Sequence, residues 1–446
     1  MLIGRGRELE FLEAAHSYKE LKLLILYGRQ GVGKTSLLQA FKKGKRGLYY
    51  TIRPVGSVIN KELFAKELQA QAYEAKDSSS WKNLLKPIFL KAKGERLFLI
   101  FDQIQEFDKY GEDFFLDLLS LIKENQQARL TIILAGQRGS WLDQVARHSP
   151  KPDILHLRPL SFIEAQPFYD SFSQEERVLL YGLTDGLPGI LQLLRKDYTI
   201  KENLLELFYQ PHSPLKEWGY SLTNNFRQPH LYHTIMYAIA QGKQRLGAIG
   251  QYIGLECNKL SKYMQVLLEQ GFIERVVSEE EFANGRQPKR TMYILSSTLL
   301  LFWYKYVFPY VGAIEQGQGN SIIRHRLQPQ LDWFLEQAFV GIVGQYAQLL
   351  QERRDYPHSF SSLNKVWRSK EDDKELFLLS QGKGKACALY SCWHKQKLDE
   401  RELAALTEGR PYDFTMVFSR KGFTDKALSF SSSREQLRLI SLVYLK

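Results

Sequence analysis

The chain has 446 residues, of which 44% are hydrophobic and 25% are charged, and this composition is typical of folded globular domains, with about three expected from the length. Its apolar runs stay short of the roughly 18 residues that a membrane span needs, its N-terminus lacks a signal-peptide core, and its three cysteines favour neither a disulfide framework nor a zinc site. We therefore expect a cytoplasmic protein away from membranes, and the net charge of +12 leaves two interpretations open, an anionic partner such as nucleic acid or solubility alone.

An amphipathic helix is predicted near residues 8–13, and the strongest chemical signal follows it at residues 28–35. This segment fits G-x-x-x-x-G-K-[ST], with a strand-length apolar run at 23–27 before it and helix-forming residues at 36–41 after it. Its glycines let backbone N–H groups point at a phosphate, Lys34 is expected to reach the β- and γ-phosphates, and Thr35 is expected to ligate Mg²⁺. The predicted nucleotide-binding residues are Gly28, Arg29, Gln30, Gly31, Val32, Gly33, Lys34, Thr35 and Ser36.

A second acidic position is predicted where a continuous apolar strand at 97–101 ends in Asp102. Ligands of parallel sheets lie at the carboxyl ends of the strands, so Asp102 is the expected partner of Thr35 in holding Mg²⁺. The next residue is Gln103, at a position where many P-loop hydrolases have a Glu that polarises the attacking water. An amide orients water but does not take its proton at neutral pH, so we expect Asp102 and Gln103 to form a catalytic pair with weak general-base assistance.

Further strands are predicted at 47–52, 130–136 and 154–157, and their alternation with helices indicates an α/β parallel sheet. Gln137 and Arg138 follow the strand at 130–136. They are interpreted either as γ-phosphate sensors or as an ordinary strand-end loop. From 158 to 226 the pattern is helical, beginning with a capping-box pair, Ser161 and Glu164, and broken at 184–189. We interpret this region as a small helical lid.

Residues 231–295 predict a winged helix-turn-helix. Helices are expected at 232–240 and 246–249, and Asn258 is expected to cap a third helix that ends at Gly271. Strands at 272–277 and 291–295 would flank a polar loop. The module is interpreted either as a DNA-binding element or as a protein-contact element. The second interpretation stays open because the negative charges of its glutamates would repel DNA. The candidate nucleic-acid contacts are Lys259, Lys262, Arg286, Lys289 and Arg290.

The last third of the chain opens on a dense aromatic run at 299–307, which is expected to be core. A Gly- and Gln-rich segment at 312–321 is the predicted linker. Beyond it we expect a helix at 328–352 and strands near 375–380, 386–392 and 414–418, the first two forming a hairpin.

Together, the P-loop, Asp102, Gly186-Leu187-Pro188 and the run Phe302-Trp303-Tyr304 resemble the archaeal-type P-loop ATPases that also occur in bacteria, which are related to AAA+ and STAND ATPases. The resemblance implies ATP or ADP as ligand with Mg²⁺. It also implies that Arg5 lies in the segment near adenine and Pro188 near the nucleotide. The family's C-terminal region, of unknown function, resembles PD-(D/E)XK nucleases.

A nuclease core of that kind holds Mg²⁺ with a helix Glu, a strand Asp and Glu-x-Lys. Glu336 fits the helix position, but we favour its interpretation as an ordinary acid on a helix surface. Leu376-Phe377-Leu378 and Ser391-Cys392-Trp393 stand where the other acids are expected. We therefore expect an inactive nuclease-like domain.

The predicted fold class is multidomain α/β, with a P-loop ATPase domain at 1–157, a helical lid at 158–226, a winged helix at 227–310 and a degenerate PD-(D/E)XK-like domain at 321–446. The leading hypothesis is an ATP-binding, nucleotide-dependent switch that hydrolyses slowly. The alternatives are a DNA-binding motor or loader and, last, a Mg²⁺-dependent nuclease. Nucleotide is the expected ligand, and DNA, a protein partner or further copies of the chain are the candidate partners.

Overall fold

The computed structural model describes residues 3–73, 78–107, 112–148, 152–223, 226–283, 291–370, 373–382 and 384–445. The chain forms two units, and each has its own core. The first comprises Met1–Leu160 with Leu187–Ile190, and the second comprises Ser161–Gly186 with Leu191–Lys446.

The first unit alternates helices with short apolar strands. Its helices are α1 (Gly6–Ser17), α2 (Lys34–Phe41), α3 (Ser57–Ala70), α4 (Trp81–Lys91), α5 (Glu112–Glu124) and α6 (Ser140–His148). Its strands are β1 (Lys22–Tyr27), β2 (Gly47–Thr51), β3 (Leu97–Asp102), β4 (Leu130–Gly136) and β5 (Asp153–His156). These bounds confirm the strands expected from the sequence.

The five strands form one parallel sheet in the order β2-β3-β4-β1-β5. Every residue of β3 and β4 is buried, as expected for central strands that are covered on both faces. Because β4 pairs with both β1 and β3, the carboxyl ends of these three strands lie side by side. The predicted parallel α/β sheet is therefore confirmed.

The second unit begins with helices and turns. Ser161 and Glu164 exchange the expected capping-box bonds, but the residues after them form a turn, and the first regular helix is α7 (Gln174–Thr184). The predicted break follows, with positive φ angles at Asp185 (51°) and Gly186 (66°). Three short helices come next, α8 (Pro188–Leu191), of which all but Leu191 belongs to the first unit, and then α9 (Ile200–Leu204) and α10 (Trp218–Ser221).

The next segment consists of four helices and an antiparallel strand pair. Its elements are α11 (Pro229–Ala240), α12 (Leu246–Ile253), α13 (Cys257–Glu269), β6 (Ile273–Ser278), α14 (Glu279–Ala283) and β7 (Met292–Leu295). Gly271 follows α13 with a φ of 71°, as expected for a helix-ending glycine. The prediction that Asn258 caps this helix was wrong, because the capping position is two residues earlier, at Glu256, and Asn258 lies within the first turn.

The aromatic run at 299–307 lies in the core, as expected. Helix α15 (Thr298–Phe302) continues into a π-helical turn, and Phe302, Trp303 and Tyr304 are fully buried. The predicted linker at 312–321 is instead largely helical, because it contains α16 (Val311–Glu315) and α17 (Gly319–Ile322). Buried Ile314 and Ile322 provide the apolar contacts that a solvated linker would lack.

The chain ends in a helix followed by a mixed sheet. The elements are α18 (Leu331–Glu352), β8 (Ser362–Lys370), β9 (Asp373–Gly382), β10 (Lys385–Cys392), α19 (Glu400–Thr407), β11 (Phe414–Ser419), α20 (Asp425–Ser432) and β12 (Leu437–Ser441). The strand order is β12-β11-β10-β9-β8-β6-β7, so a single sheet continues from this region into the strand pair after α13. In the part of the chain that the structure describes, none of the helices is long and apolar enough to cross a lipid bilayer.

Candidate nucleotide-binding site

The loop between β1 and α2 has the backbone conformation of an anion-binding loop. Gly31 and Gly33 have φ angles of 81° and 91°, which side-chain-bearing residues rarely adopt. Gly33 precedes the first residue of α2 and, as a glycine, has no side chain with which to cap that helix. The N–H groups of the first helical turn therefore receive no capping bond from the residue before the helix, and they form the positive end of the helix dipole.

Two other glycines of this site lie where neighbouring backbone segments approach each other closely. A Cβ on Gly28 would lie 2.3 Å from the carbonyl oxygen of Leu157, where the chain leaves β5. The backbone N–H of Gly189 donates to the carbonyl of Gly31 over 3.0 Å. The segment Leu187–Ile190 is thereby fixed to the loop, and Pro188 lies 3.7 Å from the Cβ position of Gly33.

Lys34 places its ammonium group inside this loop. Its Nζ donates to the carbonyl oxygens of Gly28 (2.8 Å) and Arg29 (2.9 Å), and the residue is 7% exposed. None of the described carboxylates forms an ion pair with Lys34. Burial lowers the pKa of Lys34 to about 8, although the nearby charge of Asp102 opposes that shift. A buried cation without an anionic partner predicts an anionic ligand.

Asp102 ends the buried strand β3 and is held by three donors. Its Oδ2 accepts from the hydroxyls of Thr35 (2.8 Å) and Tyr49 (2.6 Å), and its Oδ1 accepts from the backbone N–H of Gln103 (2.9 Å). The structure thus brings Thr35 and Asp102 together as the sequence predicted for a divalent cation. Burial, followed by the hydrogen bond to Asp102, raises the pKa of Tyr49 well above its usual value, so this phenol stays protonated.

Arg5 connects the start of the first unit to the loop. The residue is 3% exposed, and its guanidinium donates to the carbonyl oxygens of Val32 (3.0 Å) and Arg158 (2.6 Å) and pairs with the carboxylate of Glu8 (2.9 Å). Arg5 therefore stabilises the loop through its backbone carbonyl at Val32. The remaining residues predicted to bind nucleotide lie on or directly after this loop, with Arg29, Gln30, Thr35 and Ser36 exposed and Val32 buried.

The end of β4 contributes polar groups between the loop and Asp102. The backbone N–H of Gln137 donates to Oε1 of Gln105 over 3.0 Å, and Arg138 is exposed. Beside them, the rings of Tyr27 and His156 stack at a centroid distance of 4.5 Å. Burial and then the charges of Arg158, Arg138 and Arg29 lower the pKa of His156, so this edge of the sheet is electropositive.

The candidate nucleic-acid contacts fall into two groups. Lys259 and Lys262 lie on the exposed side of α13, whose opposite side buries Leu260, Met264 and Leu267. Lys259 lies 3.9 Å from the carboxylate of Glu256. The other candidates, Arg286, Lys289 and Arg290, lie outside the described residues.

Core side chains occupy two of the positions expected to correspond to nuclease residues, Phe377 at the position of the strand Asp and Trp393 at the position of the Lys in Glu-x-Lys. Phe377 is fully buried and stacks on Tyr390 at a centroid distance of 5.1 Å. Trp393 is 5% exposed and packs on Phe339 at 5.3 Å. Glu336 lies on the exposed side of α18. Among the described residues, no cluster of three or more His, Cys, Asp or Glu side chains has the arrangement of a metal site.

Two polar contacts of this site were not found from the sequence. Tyr49 reaches Asp102 because β2 and β3 pair in parallel with Thr51 beside Asp102. Gln105 donates to Oε1 of Gln103 over 2.6 Å. The spacing of Gln103 and Gln105 was visible in the sequence, but their contact depends on the turn that follows β3.

Comparison with protein families identifies two regions of the chain. Residues 18–145 match the family model described as an AAA domain. Residues 303–404 match a model described as archaeal and bacterial proteins of unknown function. The first match contains the loop, Thr35 and Asp102, so the site described above lies within the region that matches an AAA domain.

Three individual proteins are similar to parts or to most of this chain. An uncharacterized protein of Methanocaldococcus jannaschii is 24% identical over 409 residues, which is 89% of this chain and 88% of that protein. An uncharacterized ATP-binding protein of the same organism is 46% identical over 46 residues, 10% of this chain and 78% of that protein. Among solved structures, the Walker-type ATPase of Pyrococcus abyssi has a TM-score of 0.51 and 19% identity, covering 68% of this chain and 96% of that one. This last similarity concerns the fold alone.

Proposed function

We propose that this chain, whose residues 18–145 match an AAA domain, is a nucleotide-dependent switch that binds ATP with Mg²⁺ and hydrolyses it slowly. The observation that carries the proposal is an intact phosphate-binding loop and Thr35–Asp102 pair directly followed by Gln103. The binding elements are complete, whereas the residue at the water-activating position is an amide.

The residues of the site fit the proposed ligand. The buried ammonium of Lys34 lacks a carboxylate partner among the described residues, and the glycine-rich loop leaves the N-terminus of α2 uncapped. Both features favour a polyphosphate. Thr35 and Asp102 would hold Mg²⁺, which supplies charge neutralisation between the β- and γ-phosphates when bound.

Slow hydrolysis follows from the side chain at position 103. A carboxylate at this position accepts a proton from water, but the amide of Gln103 has no basic site near pH 7. General-base assistance typically contributes 10²- to 10⁴-fold to a rate. We therefore expect a long-lived ATP state, as a switch requires.

The segment Leu187–Ile190 supports a coupling between the ligand and the rest of the chain. It contacts Gly31 and Gly33 through Gly189 and Pro188, while the residues on both sides of it belong to the second unit. A phosphate in the loop would favour one conformation of Gly31 and thereby of this segment. We propose that the helical region at 158–226, acting as a lid, and the C-terminal domains respond through this connection.

Two variants test the proposal. Lys34→Ala should abolish ATP binding in isothermal titration, whereas removal of the exposed lysine just after α2, in Lys43→Ala, should leave it unchanged. Gln103→Glu should raise steady-state phosphate release by roughly 10²-fold, since it restores a general base. Rapid hydrolysis by the wild type, with no gain in Gln103→Glu, would contradict the switch.

A second function, DNA binding by a motor or loader, is supported by one observation. The amphipathic helix α13 buries an apolar side and exposes Lys259 and Lys262 on the other, and the strand pair β6–β7 follows it. We interpret these elements as a winged helix. This function predicts salt-dependent binding of duplex DNA by the full chain.

A further inference from the structure

The side chain of Gln105 forms a bridge between the ends of β3 and β4. Its Oε1 accepts from the backbone N–H of Gln137 (3.0 Å), and its Nε2 donates to Oε1 of Gln103 (2.6 Å). Gly136 makes room for this bridge, because a Cβ there would lie 2.6 Å from Oε1 of Gln105. The indole N–H of Trp141 donates to the carbonyl of Gln137 over 2.8 Å and holds the peptide after it.

The direction of these hydrogen bonds is set by the backbone. A backbone N–H can only donate, so Gln105 has to turn its amide oxygen toward Gln137. Its amide nitrogen is then directed to Gln103, which has to accept this hydrogen bond with its amide oxygen. The two side-chain amides are therefore oriented by a backbone group that cannot reverse, independently of how either amide would orient alone.

The backbone of Gln103 is fixed as well. Its φ is 63°, its N–H donates to Oδ1 of Asp102 over 2.9 Å, and its carbonyl accepts the N–H of Glu106 over 3.0 Å. A positive φ is unfavourable in free energy for any residue that has a Cβ, and these two hydrogen bonds offset that cost. Within the described part of the chain, Nε2 of Gln103 has no hydrogen-bond acceptor.

We infer that Gln105 is a positioning residue that makes Gln103 a hydrogen-bond donor to the terminal phosphate of a bound nucleoside triphosphate. Gln103 follows Asp102, which contacts the first turn of the phosphate-binding helix through Thr35. The oxygen of Gln103 is engaged by Gln105, so the group left for the ligand is the amide NH₂. Such a donor stabilises the negative phosphate and distinguishes ATP from ADP. This inference rests on the proposed nucleotide-dependent switch.

A double-mutant cycle with uncharged substitutions tests it. We would titrate the full chain with MgATP and MgADP and compare the two dissociation constants in wild type, Gln103→Leu, Gln105→Leu and the double variant. Gln103→Leu should lower the preference for ATP over ADP by roughly 10-fold or more, the range of a hydrogen bond to a charged group. Gln105→Leu should lower it by a smaller factor, because Gln103 then rotates.

The decisive result is the double variant. If Gln105 acts through Gln103, the double variant should have the same ATP preference as Gln103→Leu, and the ADP affinity should stay within about twofold throughout. An unchanged preference in Gln103→Leu, or additive effects of the two substitutions, would overturn the inference while the proposed switch stands. Absence of ATP binding by the wild type would overturn both. Gln105→Ala replaces Gln105→Leu if thermal melting shows that the leucine variant does not fold.

Discussion

Lys34 carries a positive charge into a buried position where it meets backbone carbonyl groups. Burial lowers its pKa from 10.5 to about 8. The cause is desolvation, which penalises the charged form of any ammonium group. A bound polyphosphate would add negative charge beside Nζ and raise the pKa again, so ligand binding and protonation of this one residue should be coupled.

This coupling predicts the pH dependence of nucleotide affinity. Below pH 8 Lys34 is protonated before binding, and the affinity for MgATP should be constant. Above pH 8 the nucleotide-free site loses its proton, so the affinity should fall by up to about tenfold per pH unit until the pKa of the bound state is reached. Titrations from pH 7 to 9.5 measure this slope.

Lys34→Arg is the matched control, because a guanidinium stays protonated over this range. Its affinity is expected to be lower throughout, but its pH profile should be flat. A flat profile for the wild type would show that the ammonium is already charged at pH 9.5 without ligand.

At the same scale, the sequence predicted the residues that a motif fixes and missed those that depend on packing. Thr35 and Asp102 were predictable because motif spacing places both at the carboxyl edge of the sheet. Tyr49 was not, because its contact with Asp102 requires the β2–β3 register, which joins strands about 50 residues apart along the chain.

Among the elements, prediction succeeded where apolar residues form continuous runs. The runs in β1, β3 and β4 indicate buried parallel strands, and the structure has them. Strand β8 was missed, because its sequence mixes serine, asparagine, lysine and arginine with its apolar residues. The prediction of a linker at 312–321 was wrong because its glycines suggested a flexible segment. One of these glycines instead allows two parts of the backbone to pack closely.

Gly319 in α17 tests that explanation. A Cβ there would lie 2.2 Å from the carbonyl oxygen of Tyr209, a residue that is fully buried and donates its hydroxyl to the carbonyl of Tyr306. Gly319→Ala should therefore lower the free energy of unfolding by about 2 kcal/mol or more, a range typical of overpacking. Chemical denaturation with urea measures the change.

The neighbouring helix supplies the control. Gly312 in α16 is exposed, and a Cβ there would meet nothing within 4 Å. Gly312→Ala should be neutral or stabilising by roughly 0.5–1 kcal/mol, because alanine is the better helix former. Equal effects at the two positions would contradict the close-packing explanation.

For the whole molecule, the net charge of +12 is consistent with either of the two proposed roles of α13. If α13 enters a DNA groove, replacing both Lys259 and Lys262 by alanine should weaken duplex binding and reduce the slope of log affinity against log salt by about 1.8. Filter binding of duplex DNA by the full chain, over about 50 to 300 mM salt, measures this slope.

Replacing Lys397 and Lys426 removes the same charge from exposed positions outside α13. This control should leave the salt slope nearly unchanged. If both pairs of substitutions reduce the slope equally, binding reflects overall charge, and α13 is better interpreted as a protein-contact element.

The seven-stranded sheet has a consequence for how the chain folds. Its two halves meet where β6 and β8 pair in parallel, through Val277 with Val366 and Ser278 with Trp367. This pairing closes a loop of about 90 residues, so its entropic cost is met only late, after the local hairpins have formed. A nascent chain that ends before residue 362 should therefore expose β6 as an unpaired sheet edge, and synthesis of β8 should protect it from intermolecular pairing.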